Sequence, residues 1–133
     1  MVKLLYIAAG GALGSVLRYM VSGWTYRFAG EVFPLGTLVV NVLGCFVIGF
    51  LWALSEHVSF PPNARVFVFT GVLGGFTTFS TFGLESFLLL RNGGVAAMAA
   101  NVLASNVLGI AAVFFGFMLG RLCTNPVGTG GTS

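Results

Sequence analysis

Four long apolar runs, separated by short polar or turn-forming clusters, organise this chain of 133 residues. Each is long enough to cross a bilayer core as a helix, which takes about 20 mostly apolar residues. The pattern predicts helices over about Leu4–Phe28, Leu35–Ser55, Ala64–Leu90 and Val95–Leu122. Between them lie loop signals: Ala29-Gly30-Glu31 with Pro34, Glu56-His57 with Pro61-Pro62-Asn63, and Arg91-Asn92-Gly93-Gly94. The first run has no small-residue cleavage site with a polar follow-on, so it reads as a retained span rather than a signal peptide. One four-helix membrane domain over residues 1–124 is expected, followed by a Gly/Thr/Ser-rich tail, 125–133, expected to be disordered.

Composition agrees with this pattern. Hydrophobic residues make up 57% of the chain and charged residues 7%, against roughly 25% charged in soluble domains. The four spans use nearly the whole chain and leave no room for a soluble domain. The net charge of +3 reflects scarce acid, with six basic residues, three glutamates and no aspartate. No basic face of the kind that binds nucleic acid is present. Cys45 and Cys123 fall in or at the end of spans and read as reduced packing residues. With a single His57 in a loop, no zinc or haem site is supported. Trp24 and Tyr26 are expected at a membrane interface.

Charge also bears on orientation. Alternating spans put Lys3, Arg65 and Arg121 on one face and Arg27 and Arg91 on the other. Cytoplasmic loops normally hold a clear Lys/Arg excess, and three against two is hardly one. Either the chain inserts both ways up, or the three-cation face is cytoplasmic.

The third run departs from a plain lipid-facing helix. Gly71 to Phe82 reads G-V-L-G-G-F-T-T-F-S-T-F, with three glycines, three phenylalanines and four hydroxyl residues in twelve positions. Gly-Gly weakens a helix, and hydroxyls can hold the backbone groups that a break sets free. Non-helical backbone at membrane depth survives only where protein buries it or a polar cavity needs it. A helix broken near Gly74–Thr78 and a site are therefore predicted here. A break near Gly74 frees carbonyls, such as those of Gly74 and Thr77, for a small cation. Phe76, Phe79 and Phe82 recur every three residues, and because ring edges are positive, two of them can flank a desolvated anion. The plainer alternative is a Phe stripe that faces lipid or packs. Glu85, one turn on, is the only carboxylate inside a span.

Other polar groups lie where lipid is expected. Arg18, at about 2.5–3.5 kcal/mol for a central arginine, needs a partner, water or an anion, unless it snorkels to the boundary. Asn41 offers two donors without fixed charge, and Thr37 stands one turn earlier on its face. Asn41 either serves a polar path or links helices. The same two readings hold for Asn101, Ser105 and Asn106 on the fourth span. Gly10-x-x-x-Gly14, Gly71-x-x-x-Gly75 and Gly116-x-x-x-Gly120 point to close helix packing or association.

These residues give a resemblance to the CrcB/Fluc family of fluoride channels, running through all four spans. It rests on Gly10-Gly11-x-x-Gly14-x-x-x-Arg18-Tyr19, Gly36-Thr37-Leu38-x-Val40-Asn41-x-x-Gly44 and Gly74-Gly75-Phe76-Thr77-Thr78-Phe79-Ser80-Thr81-Phe82. Two departures stand out. Phe76 replaces a commonly apolar aliphatic residue, and the aromatic that members often place near Asn101 is missing.

The resemblance implies a channel of the cell membrane, not an enzyme, that exports cytoplasmic fluoride passively and lowers its toxicity. It implies an all-α protein with a broken third helix, paired as an antiparallel, dual-topology homodimer with two pores. It further implies fluoride contacts from Phe79 and Phe82, a donor in Asn41, and a polar rail of Ser80, Thr81 and Glu85. Thr37 and Ser105 are further path residues, and Arg18 attracts anions. Carbonyls of Gly74 and Thr77 from both subunits are implied to hold one central sodium ion. The competing classes are a small dual-topology drug/proton antiporter, which needs a membrane carboxylate such as Glu85, and a non-transporting subunit that packs through its glycine faces.

Overall fold

A computed structural model describes residues 1–29 and 33–124. The loop cue at residues 30–31 and the expected disorder of 125–133 lie outside the described residues. Helix α1 spans Val2–Ala29 and α2 spans Leu35–Ser55. The third span is composite: α3 (Pro62–Arg65), a π-helical stretch (Val66–Leu73), α4 (Gly74–Phe76) and, after a gap, α5 (Phe79–Arg91). Helix α6 spans Val95–Thr124. All four expected spans are present, each long and apolar enough to cross a membrane.

Glycines set how the spans pair. A Cβ on Gly10 would lie 2.5 Å from the Phe67 carbonyl oxygen and 2.9 Å from Gly71 Cα, and one on Gly14 would run into the Val72 carbonyl. Gly75 meets Gly11 in the same way. Helix α1 therefore lies against the first half of the third span with no side chains between the backbones. On the other side, Gly49 faces the backbone of Val113, Gly116 that of Phe46, and Gly120 those of Phe50 and the Ala53 methyl. Residue numbers rise together across both contacts, so spans one and three are parallel, as are two and four. The glycine faces are thus spent within the chain.

Among the described residues the buried apolar ones are few and none is aromatic: Leu38, Val40, Ala53, Leu73 and Ala112. Large ones such as Val16, Met20, Phe115 and Met118 are exposed. That inversion suits a lipid solvent, which takes large apolar surfaces without cost while backbones close on small residues.

Candidate functional site

The third helix stops at Thr77 and Thr78, both extended (φ −77°, ψ 156° and φ −148°, ψ 117°). The gap falls at the far end of the expected Gly74–Thr78 stretch. It falls there because replacement hydrogen bonds are available there. Thr77 closes the first half, its N–H and Oγ1 both donating to the Leu73 carbonyl at 3.0 and 2.9 Å. Thr78 caps the second half: its Oγ1 accepts from the Thr81 N–H at 3.3 Å and donates to Thr81 Oγ1 at 3.0 Å. Asn41 then holds the peptide groups of Thr78, its Oδ1 accepting from the N–H at 2.8 Å and its Nδ2 donating to the carbonyl at 3.0 Å. Asn41 works here as a substitute strand of backbone, a task the sequence reading left open between path and linkage.

The motif on α2 is now intelligible as one helix face. Thr37, Asn41 and Gly44 recur at four- and three-residue steps, which superpose on a helix. Thr37 Oγ1 donates to Glu85 Oε1 at 2.7 Å, Asn41 grips Thr78, and Gly44 leaves room for the Thr77 methyl, into which a Cβ would run. One face of α2 thus sets the position of the whole break.

Two cavities meet at Thr78. A cleft of about 310 Å³ is lined by Asn41, Thr77, Thr78, Phe79, Phe82, Ser105 and Asn106, with Cys45, Ile48 and Leu73 adding apolar wall. The rings of Phe79 and Phe82 lie 5.5 Å apart, tilted by 48°. Helix α5 starts at Phe79, so the positive end of its dipole abuts the cleft. No charged side chain lines it. The second cavity, about 400 Å³, is lined by Ser15, Arg18, Tyr19, Ser22, Tyr26, Thr37, Thr78, Thr81 and Glu85. Glu85 Oε1 accepts from Tyr26 Oη at 3.1 Å as well as from Thr37, while its Oε2 is buried without a protein donor. Arg18 thus borders a polar cavity shared with Glu85.

The fold therefore brings Thr37, Asn41, Thr81, Glu85 and Arg18 to one connected polar region, with Phe79, Phe82 and Ser105 beside it. Ser80 stands exposed on α5 and lines neither cavity. Asn101 is fully buried and donates to Ser86 Oγ at 3.0 Å, away from both cavities. Asn106 lines the cleft and donates to its own helix at Val102. Tyr26 joins this region through its hydrogen bond to Glu85. Thr78, the residue common to both cavities, was missed as a site residue, as were Ser15, Tyr19 and Ser22. A signal for the last three existed: Ser15, Tyr19, Ser22 and Tyr26 recur at helical spacing and make a polar stripe along α1.

Of the implied sodium ligands, the two carbonyls pass a chemical test. In an unbroken helix the Gly74 and Thr77 carbonyls would accept from the N–H groups of Thr78 and Thr81. Those two donors are directed instead to Asn41 Oδ1 and Thr78 Oγ1. Both oxygens thereby lose their helical partners, and neutral carbonyls suit a hard cation.

A family model described as CrcB-like protein, Camphor Resistance (CrcB), matches residues 5–117. The chain belongs to the CrcB family. Among its relatives, a protein of Parabacteroides distasonis named fluoride-specific ion channel FluC is 50% identical over 121 residues, covering 91% of this chain and 94% of the relative. Proteins of the same name from Salinibacter ruber and Aquifex aeolicus are 51% and 48% identical, covering 90% and 86% of this chain and 94% of each relative. As a CrcB protein with four spans, the chain is a multi-pass protein of the cell membrane.

Proposed function

We infer that this chain is a fluoride-selective ion channel, not an enzyme, through which cytoplasmic fluoride leaves passively down its electrochemical gradient. The observation that carries the reading is the cleft at the helix break, free of charged lining among the described residues, where an amide, hydroxyls and two phenyl rings converge. It is supported by relatives named fluoride-specific ion channels that match nearly the full chain.

The physics of fluoride makes such a lining sufficient. Hydrogen fluoride crosses membranes as a neutral acid and ionises in the more alkaline cytoplasm, where the anion is trapped. A passive pore lets an inside-negative potential drive it out, with about 2.3 kcal/mol per charge per 100 mV. The pore must also reject chloride, or it would discharge the membrane. Fluoride is small and strongly hydrated, so narrowness and fixed donors must replace its water. Asn41 spends one of its two N–H donors on Thr78 and keeps the other for an ion. Arg18 raises anion concentration in the vestibule, whose wall continues through Thr81 and Thr37 to Glu85.

The same reading makes the channel an antiparallel homodimer with two pores. Phe79 is 83% exposed, so a single chain supplies only part of the wall around its ring. The three-to-two division of basic residues suits insertion both ways up. A second chain would also cover Ser80 on the exposed side of α5. A sodium ion on the Gly74 and Thr77 carbonyls of both chains would supply a fixed positive charge joining the two breaks. The freed carbonyls support this part of the proposal. The rival packing-subunit reading loses its motive, because the glycine faces are filled within the chain.

Purified protein in proteoliposomes tests the reading. Fluoride efflux under an inside-negative potential, followed with a fluoride electrode, is expected to exceed that of protein-free vesicles. Equal efflux overturns it.

A further inference from the structure

One buried polar chain lies outside both cavities and ends on a ring-bearing residue. Asn101 on α6, 1% exposed, donates from Nδ2 to Ser86 Oγ at 3.0 Å. Ser86, also buried, donates in turn from Oγ to the Phe82 carbonyl at 2.8 Å. The two bonds run in one direction, so each polarises and strengthens the next. Neither Asn101 nor Ser86 lines the cleft; Phe82 does.

A serine that back-bonds to the carbonyl four residues earlier bends its helix at that point. Here that back-bond spans the turn from Phe82, the fourth residue of α5, to Ser86. Helix α5 needs such a fixture. Its upstream end is an extended gap, it has no buried apolar residue, and Ser86 is its one buried position. The Asn41 clamp fixes where α5 begins but not how the helix is turned about its own axis. Glu85 ties the helix to α2 and α1 through Thr37 and Tyr26, and Ser86, about two turns beyond the gap, adds an anchor on a third helix, α6; together they fix that angle.

We propose that Asn101 and Ser86 are positioning residues that set the angle of Phe82 in the anion cleft by tying α5 to α6. The proposal rests on the channel reading and goes beyond it, because it assigns a conduction role to residues that no ion reaches. A rotated α5 would turn the Phe82 ring edge away from the cleft without emptying it. The defect would therefore appear in how well each channel conducts and selects.

Single-channel recording of fluoride current in planar bilayers provides the test, because unitary conductance counts only channels that have assembled. The variants are Asn101→Ala, Ser86→Ala and Ser86→Thr, the last keeping the hydroxyl. Asn101→Ala and Ser86→Ala are each expected to lower unitary fluoride conductance by about fivefold, the equilibrium factor of one lost hydrogen bond. Both should lower the fluoride-to-chloride permeability ratio as well. Combining them should add little to either alone, since they interrupt one chain, and Ser86→Thr should restore most of the conductance. Fewer channels of unchanged unitary conductance and selectivity would overturn the proposal and leave Asn101 a packing residue. If Asn101→Ala gives no channels, Asn101→Ser with Ser86→Ala decides the matter by the same readout. Absence of fluoride current from the unaltered protein would instead overturn the channel reading itself.

Discussion

Asn41 on α2 closes two hydrogen bonds around the peptide of Thr78, at 2.8 Å to its N–H and 3.0 Å to its carbonyl. This pair converts a gap in a membrane helix, which lipid cannot tolerate, into a satisfied one. It also releases the Gly74 carbonyl and fixes the wall shared by the two cavities. Break, freed Gly74 carbonyl and cleft wall thus depend on one side chain.

Replacing Asn41 by Ala leaves both Thr78 groups without partners, at about 1–3 kcal/mol each. Fluoride efflux from proteoliposomes is expected to fall by about tenfold or more, because one such penalty already corresponds to that factor. Asn41→Asp keeps the acceptor for the Thr78 N–H but loses the donor, so it should not restore efflux. Normal efflux in both variants would remove Asn41 from the account.

Phe79→Ile and Phe82→Ile keep apolar bulk and discard the positive ring edges. Each is expected to cut fluoride efflux on the order of tenfold, while the dimer survives, since what is lost is a ring-edge contact with the ion rather than packing. Size-exclusion chromatography of the same preparations checks assembly. Unchanged efflux in both would take the rings out of the mechanism.

Much of this was legible in the sequence. Span limits needed only apolar length, and Leu35–Ser55 agrees residue for residue with α2. The glycine spacings correctly signalled close helix approach. What periodicity could not supply were bonds between residues far apart in the chain. Asn41 to Thr78 crosses 37 positions and Tyr26 to Glu85 crosses 59. The first sets the break at Thr77–Thr78, within the expected Gly74–Thr78 stretch; the second ties Tyr26 on α1 to Glu85 on α5. The π-helical stretch over Val66–Leu73 has no local sequence mark, and we have no physical account of its extent.

Thr37 is the nearer of the two donors that hold Glu85, at 2.7 Å. Thr37→Val should reduce efflux severalfold, as one hydrogen bond contributes about 0.5–1.5 kcal/mol. Thr37→Ser, which keeps the hydroxyl, should recover most of it. Equal efflux in the Val and Ser variants would separate Glu85 anchoring from conduction.

The carbonyls of Gly74 and Thr77 favour a small cation over a bulky one. Exchanging sodium for N-methylglucamine throughout purification and assay is expected to weaken the dimer or abolish efflux, and restoring sodium should reverse the loss. Indifference to the exchange would argue against the carbonyl site.

The central claim is that an uncharged cleft of amide, hydroxyl and ring edge passes fluoride and refuses larger halides. Its most direct measurement is efflux from proteoliposomes loaded with both fluoride and chloride, each followed by its own electrode under one imposed potential. Rapid fluoride loss with chloride at the protein-free background is the result expected. Chloride leaving alongside fluoride, or neither ion leaving, would contradict it.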